Sequence, residues 1–136
     1  MRMPLPLEIL RSRLRNEIGA CSRYLRHPIS LSDESLQEFP IEMEIRIIKV
    51  PAMVLEEGRL KRRDDHRFSL IIDRGYPFEK PLVIWKTPIF HPNIMMPEDG
   101  GHVCIKLLKD WTFNSTLLSF INGIETLLLN PNPSSP

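Results

Sequence analysis

Cys104 is the side chain in this sequence best suited to covalent chemistry. It lies within residues 87–113, a stretch with no sustained hydrophobic period that holds Pro88, Pro92, Pro97, Gly100 and Gly101. Long ordered loops inside compact domains are usually functional. The thiol follows Gly100-Gly101-His102-Val103 and stands thirteen residues after His91 of the run His91-Pro92-Asn93. A thiolate is a strong nucleophile, and a held amide can donate to a developing oxyanion, so Cys104 with Asn93 fits acyl transfer. A Cys–His peptidase would need His66, His91 or His102 as general base, and no local peptidase signature surrounds Cys104. A metal site built from His91, His102 and Cys104 lacks close ligand pairing and an evident fourth ligand. Against these stands the plain reading of a lone cysteine as a small core hydrophobe, which is the expectation for Cys21. Glycine-rich phosphate loops and cofactor motifs are absent, so no cofactor or metal is expected.

The elements that must position these residues follow from hydrophobic period. Leu7, Leu10, Leu14, Ile18, Cys21 and Leu25 form one stripe of an amphipathic helix over residues 5–26, with Pro4 and Pro6 at its start and Pro28 as its stop. Arg11, Arg13, Arg15, Arg23 and Arg26 fall mainly outside the stripe and are expected to face water or a partner. Residues 41–50 alternate apolar and charged, the mark of a strand with one buried face. Further strands are expected at Met53–Glu56, His66–Asp73 and Leu82–Lys86, with a polar turn at Glu57-Gly58-Arg59 extending into Lys61–Asp65. Leu117, Ile121, Ile124 and Leu128 share the face of a second helix over residues 115–129, capped by Asn114 or Ser115 and ended by Pro131. The fold class is therefore α+β: an N-terminal helix, a four-stranded antiparallel meander sheet, an irregular active-site loop and a C-terminal helix. One domain over residues 1–136 is expected.

Composition narrows the function classes. With 42% hydrophobic and 26% charged residues the chain is not broadly disordered. A net charge of +1 gives no footprint for a dominant nucleic-acid or membrane-surface role. Charge is nevertheless uneven: residues 1–30 carry +4 and residues 31–57 carry −5. No run of eighteen apolar residues suggests a membrane span. Two cysteines and no secretory h-region point to a reducing, cytoplasmic setting, with the nucleus included in a eukaryote. Thirteen prolines are an excess, and five of them lie between residues 77 and 97, where they stiffen the approach to the loop.

Five motifs in order resemble the ubiquitin-conjugating enzymes. They are Tyr76-Pro77-Phe78-Glu79-Lys80-Pro81, Phe90-His91-Pro92-Asn93-Ile94, Cys104, Trp111 and Asn130-Pro131-Asn132-Pro133. The steps from Tyr76 to His91 and from Trp111 to Pro131 match the family, and Arg13-Leu14-x-x-Glu17 looks like its first-helix pattern. The resemblance implies that Cys104 accepts ubiquitin or a ubiquitin-like modifier from an activating enzyme as a thioester and passes it to a substrate lysine. Asn93 would stabilise the oxyanion or brace the loop, and His91 would shape that loop rather than act as base. Arg13, Pro77, Phe78, Thr112 and Phe113 would belong to a surface docking a RING- or HECT-type ligase. Trp85 and Trp111 are expected to pack, and Ser119, Asn122 and Thr126 to face a donor modifier. A non-catalytic modifier-binding variant of the same fold is the alternative, and such variants lack the cysteine.

The sequence also departs from the family. The interval from His91 to Cys104 is longer than the common spacing and holds Met95-Met96-Pro97-Glu98-Asp99. Lys106 stands where many members have an Asp, and a cation there could lower the thiol pKa or repel an incoming lysine. Ser135 is the candidate for the usual acidic gate residue. Thr112-Phe113-Asn114 replaces a ligase-docking Ser-Pro-Ala. The chain stops at Pro136, ahead of the family's two C-terminal helices, so a compact member or a truncated sequence is expected.

Overall fold

Leu10, Leu14, Ile18 and Cys21 are buried along one side of α1 (Leu7–Leu25), which is why that segment packs as a helix. The carbonyl of Pro6 accepts from the amides of Ile9 and Leu10 at its start. It ends where Arg26 turns left-handed, at φ 57°. The computed structural model describes residues 3–26, 29, 36, 38–103 and 105–130; Cys104, Ser135 and the side chain of Lys106 lie outside the described residues.

Among the described residues the sheet has three antiparallel strands in chain order, β1 (Ile41–Glu56), β2 (Arg59–Ile72) and β3 (Leu82–Trp85). The α+β meander between two helices is the expected architecture, and its strand count is corrected from four to three. The apolar runs on either side of Pro51 are one strand. The register jumps between Ile48 and Ala52, where Lys49 is left-handed at φ 63° and Pro51 has no amide hydrogen to offer. A bulge thus absorbs what alternation alone reads as a break. The charged run Lys61–Asp65 is also strand rather than turn. Glu57 and Gly58, at φ 51° and 76°, make the whole reversal, and pairing resumes at once with Glu56 opposite Arg59. Two consecutive positive φ values give a turn whose twist matches that of paired strands. Exposed ion pairs such as Arg46–Asp65 and Arg62–Asp64 decorate this ribbon and contribute little, because water and salt screen them.

The inner face of the sheet carries the core. Phe68 stacks on Trp85 at 5.3 Å and meets Phe120 edge-on at 6.0 Å, tying β2 and β3 to α3 (Leu117–Leu129). α3 packs on both α1 and β1 and buries Leu117, Phe120, Ile121, Ile124 and Leu128. Its cap is Thr116, one residue beyond the expected Asn114 or Ser115. The Thr116 side chain accepts from the Ser119 amide and the Ser119 hydroxyl accepts from the Thr116 amide. A short helix α2 (Lys106–Lys109) precedes it.

Candidate active site

The segment expected to be irregular is held by the sheet at several points. Phe90 donates its amide to the Met53 carbonyl at 2.8 Å, anchoring the chain that leaves β3 against the far part of β1. The chain then forms a small excursion. Ile94 pairs with Val103, Met95 donates to the His102 carbonyl at 2.8 Å, and His102 pairs with Ile84 of β3. A 3-10 turn, Pro97–Asp99, closes the tip, and Gly100 follows it at φ 110°. The extra length between His91 and Cys104 is therefore taken up as a closed loop on a ladder.

Gly101 is the point where this excursion meets the sheet. Its carbonyl accepts from the Trp85 amide at 2.7 Å. A Cβ there would lie 2.5 Å from the Trp85 carbonyl oxygen and 2.9 Å from its nitrogen, and the backbone sits at φ 68°. Both facts require glycine. Val103 and Ile105, the chain neighbours of Cys104, are both buried.

His91 is built into the fold. One ring nitrogen, Nε2, donates to the Leu127 carbonyl of α3 at 2.9 Å, and the other, Nδ1, accepts from the Asn93 amide at 3.0 Å. That network fixes the neutral tautomer, and desolvation lowers the imidazole pKa further. Both nitrogens are thereby engaged in shaping the loop. Asn93 itself is 2% exposed, so its amide sits in a largely dry environment where a hydrogen bond is strong. Beside it lies a cleft of about 550 Å³ lined by Phe90, His91, Pro92, Asn93, Ile94, Met95, Met96 and Asp99.

His66 is the second buried histidine. It is fully enclosed against Trp85, with ring centroids 5.9 Å apart, and its Nε2 donates to the Val50 carbonyl at 2.8 Å. Desolvation lowers its pKa as well. Above the ordinary value of 6.5 both folded and unfolded chains hold these rings neutral. Below it the unfolded chain takes up protons that the folded chain refuses, so stability falls as pH drops, by up to about 1.4 kcal/mol per pH unit per ring. Urea unfolding at pH 7.5 and 5.5 should show this loss, and it should shrink in His66→Gln. A flat stability between those values would contradict the burial argument.

The second group of expected site residues converges at the other end of α3. Glu17, 9% exposed, accepts from the Tyr76 hydroxyl at 2.8 Å, from the Leu117 amide at 2.7 Å and from Arg13 Nε at 2.9 Å. Arg13 also donates to the Phe113 and Ser115 carbonyls, both at 2.8 Å, and its guanidinium lies 4.8 Å over the Phe113 ring. The expectation that the helix arginines face outward is thus corrected for Arg13. Its long side chain reaches across to the 113–115 segment, because the carbonyls there and the Glu17 carboxylate offer better partners than water. Arg11 is likewise tied to Glu8 and to the Leu36 carbonyl.

Phe78 and Phe113 pair with ring centroids 5.2 Å apart, and Phe113 is 39% exposed. Pro77 lies buried beneath them and accepts from the Trp111 indole at 2.9 Å. Thr112 is exposed next to Phe113. The structure therefore brings Arg13, Pro77, Phe78 and Phe113 together, with Thr112 beside them. α3 joins the two places, with Leu117 bonded to Glu17 and Leu127 bonded to His91, roughly 15 Å apart along the helix. Trp85 and Trp111 pack as expected. Ser119 is occupied by capping and Thr126 bonds the Asn122 carbonyl. Cys21 is enclosed, and burial pushes its thiol pKa up to about 12, which makes it inert as a nucleophile. Among the described residues no cluster of ligands could hold a metal ion, and no helix is long and apolar enough to cross a membrane.

Sequence reasoning named Glu17, Gly101 and Asp99 only within runs and gave Gly101 and Asp99 no role of their own, and it did not foresee the cleft. Adjacent Gly100-Gly101 and Met95-Met96 were the available signals.

Comparison with known proteins places these features in context. A family model described as ubiquitin-conjugating enzyme matches residues 29–136. The NEDD8-conjugating enzyme UBC12 of Saccharomyces cerevisiae is 41% identical over 70 residues, covering 51% of this chain and 36% of that protein. Probable ubiquitin-conjugating enzyme E2 31 of Arabidopsis thaliana is 44% identical over 69 residues, covering 50% of this chain and 43% of that protein. The chain spans less than half the length of these curated relatives. The solved structure of S. cerevisiae Ubc12 superposes with a TM-score of 0.70 at 25% identity, covering 99% of this chain and 68% of that one. A Toxoplasma gondii ubiquitin-conjugating enzyme domain shares the fold, with a TM-score of 0.65 at 23% identity, covering 93% of this chain and 79% of that one.

Proposed function

This chain belongs to the ubiquitin-conjugating enzyme family, and from that premise we propose that it carries ubiquitin or a ubiquitin-like modifier on Cys104. In the first step the Cys104 thiolate attacks the modifier's thioester on an activating enzyme. The new carbon–sulfur bond forms as the old one breaks, and the activating enzyme's thiolate leaves. In the second step the neutral amine of a substrate lysine attacks, a carbon–nitrogen bond forms, and the Cys104 thiolate departs while the extra proton passes to solvent. A thioester is already activated, so positioning and electrostatics can suffice without a base paired to the thiol.

The single observation that carries this reading is the His91–Asn93 brace. A neutral, doubly bonded His91 supports the chain around a buried Asn93, and the pairing of Ile94 with Val103 sets that brace beside the approach to Cys104. In this reading Asn93 is the oxyanion donor or loop brace, His91 is structural, and Lys106 and Ser135 keep the supporting roles that the resemblance implies. The Phe78–Phe113 pair, with Arg13, Pro77 and Thr112 around it, serves as the ligase-docking surface.

The test is thioester trapping. The relatives are named for ubiquitin and for NEDD8, so each is incubated with its activating enzyme, ATP and this protein. A covalent adduct should appear on non-reducing gels and vanish with thiol reductant. Cys104→Ser should give a reductant-stable ester or no adduct, and Cys21→Ser should leave the adduct in place because that thiol is buried. Failure to form an adduct with any ubiquitin-like modifier sinks the proposal.

A further inference from the structure

The bulge in β1 throws a buried carbonyl out of the ladder. Lys49, Val50 and Pro51 have no partner in the register between β1 and β2, and Val50 is buried. A buried carbonyl outside the ladder needs another donor. His66, on β2, supplies it: a carbonyl only accepts, so the ring Nε2 carries the hydrogen and donates to Val50 at 2.8 Å. The ring is fully enclosed and lies against Trp85, so close packing keeps it from swinging away. Trp85 is in turn pinned by its amide to the Gly101 carbonyl.

The bulge also decides how β1 points beyond it. Ahead of it Met43, Ile45 and Ile47 face the core, and beyond it Ala52 and Val54 do. That change of phase from odd to even positions sets which groups of the strand turn to each side. It presents the Met53 carbonyl to the Phe90 amide. From Phe90 the chain runs directly into His91-Pro92-Asn93. This short segment is gripped by the Phe90 amide on β1 and by the His91 ring on the Leu127 carbonyl of α3.

We propose that His66 is a positioning residue for acyl transfer: by closing the bulge it fixes the Met53 carbonyl, the Phe90 amide bound to it and so the placement of Asn93. The consequence for catalysis rests on the acyl-transfer reading given above, whereas the clamp itself stands on hydrogen bonds of the fold. His66 acts through Asn93 and takes no proton in the reaction. Its effect therefore belongs to the rate of the step that Asn93 assists.

Two variants of similar volume separate the donor from the ring. His66→Gln sets an amide nitrogen where Nε2 stands, and His66→Leu has no donor; both lose the ring contact with Trp85. In the unloaded protein, hydrogen exchange of the Phe90 amide is followed beside that of the Leu117 amide, which is bonded to Glu17 and reports on the whole fold. Phe90 should exchange about ten-fold faster in His66→Leu than in His66→Gln, the scale of one unmade buried hydrogen bond, with Leu117 alike in both. In the loaded enzyme, discharge to lysine should be about five- to ten-fold slower in His66→Leu than in His66→Gln, within the range of a small misplacement. That difference should vanish in an Asn93→Ala background, where a general loss of stability would persist. In the unaltered protein, the His66 nitrogen resonances should place its hydrogen on Nε2, slow to exchange.

Equal Phe90 exchange in the two variants, equal acceleration of Leu117, or a hydrogen on Nδ1 overturns the clamp. If thioester forms and the two variants discharge alike, or their difference survives Asn93→Ala, the positioning role falls and the acyl-transfer reading stands. If no thioester forms, the acyl-transfer reading falls, and Phe90 exchange with the His66 resonances decides the clamp alone.

Discussion

Glu17→Ala is expected to destabilise the fold by about 3–5 kcal/mol, the range for removing one member of a buried charged pair. The carboxylate satisfies the Tyr76 hydroxyl and the Leu117 amide, both buried, and pairs with Arg13. Removing it leaves the first two without a partner in a dry site, at about 1–3 kcal/mol each. Arg13 is less affected, since it keeps two carbonyl acceptors. Thermal unfolding should fall by roughly 10 °C or more. Tyr76→Phe alone should cost about 1 kcal/mol, the ordinary worth of one hydrogen bond. The double variant should be less destabilised than the sum of the singles, with a coupling of about 1 kcal/mol. Strict additivity would show that the Glu17–Tyr76 bond contributes nothing. The same carboxylate joins α1, the Tyr76-Pro77 turn and the start of α3, so ligase-dependent activity should fall alongside stability.

Gly101→Ala should be nearly as damaging, at about 3 kcal/mol. Alanine pays about 1–2 kcal/mol for a left-handed backbone. It would also place a methyl 2.5 Å from the Trp85 carbonyl oxygen. That backbone cannot retreat without losing the hydrogen bond from Trp85 to Gly101, since both atoms belong to the same close approach. Gly58→Ala is the control. Gly58 has φ 76° with nothing within 4 Å of a Cβ, so it should show the conformational cost alone. Chemical denaturation of the two variants separates strain from clash, and equal losses would refute the clash. Because residues 101–103 lead into Cys104, Gly101→Ala should also reduce thioester formation, while Gly58→Ala, at the hairpin tip, should not.

Legibility in the sequence followed the range of each interaction. The period of α1 named its buried side residue by residue, and the alternation from Ile41 to Ile47 named the inner face of β1. The spacing of Tyr76, His91, Cys104 and Trp111 carried the family resemblance, and the family match bears it out. The strand count failed at Pro51 because proline and a polar turn both signal an end in one dimension. In three dimensions a bulge and a two-residue reversal kept the ladder running. The outward placement of Arg13 failed for a different reason. Helical periodicity assigns a face but not the reach of a long side chain, and the acceptors Arg13 found are about a hundred residues away in the chain.

The sequence by itself determined the order of elements, their buried faces, the motif spacing and Cys21 as a core residue, because those depend on neighbours within a few positions. Only the tertiary structure decided that α3 links two sites through Glu17 and His91. It alone placed a glycine against the Trp85 backbone and gathered Phe90, Asn93, Met95 and Asp99 around one cleft. The helix link and the glycine contact depend on groups separated in the chain that meet at 2.7–2.9 Å, and no local period encodes that meeting.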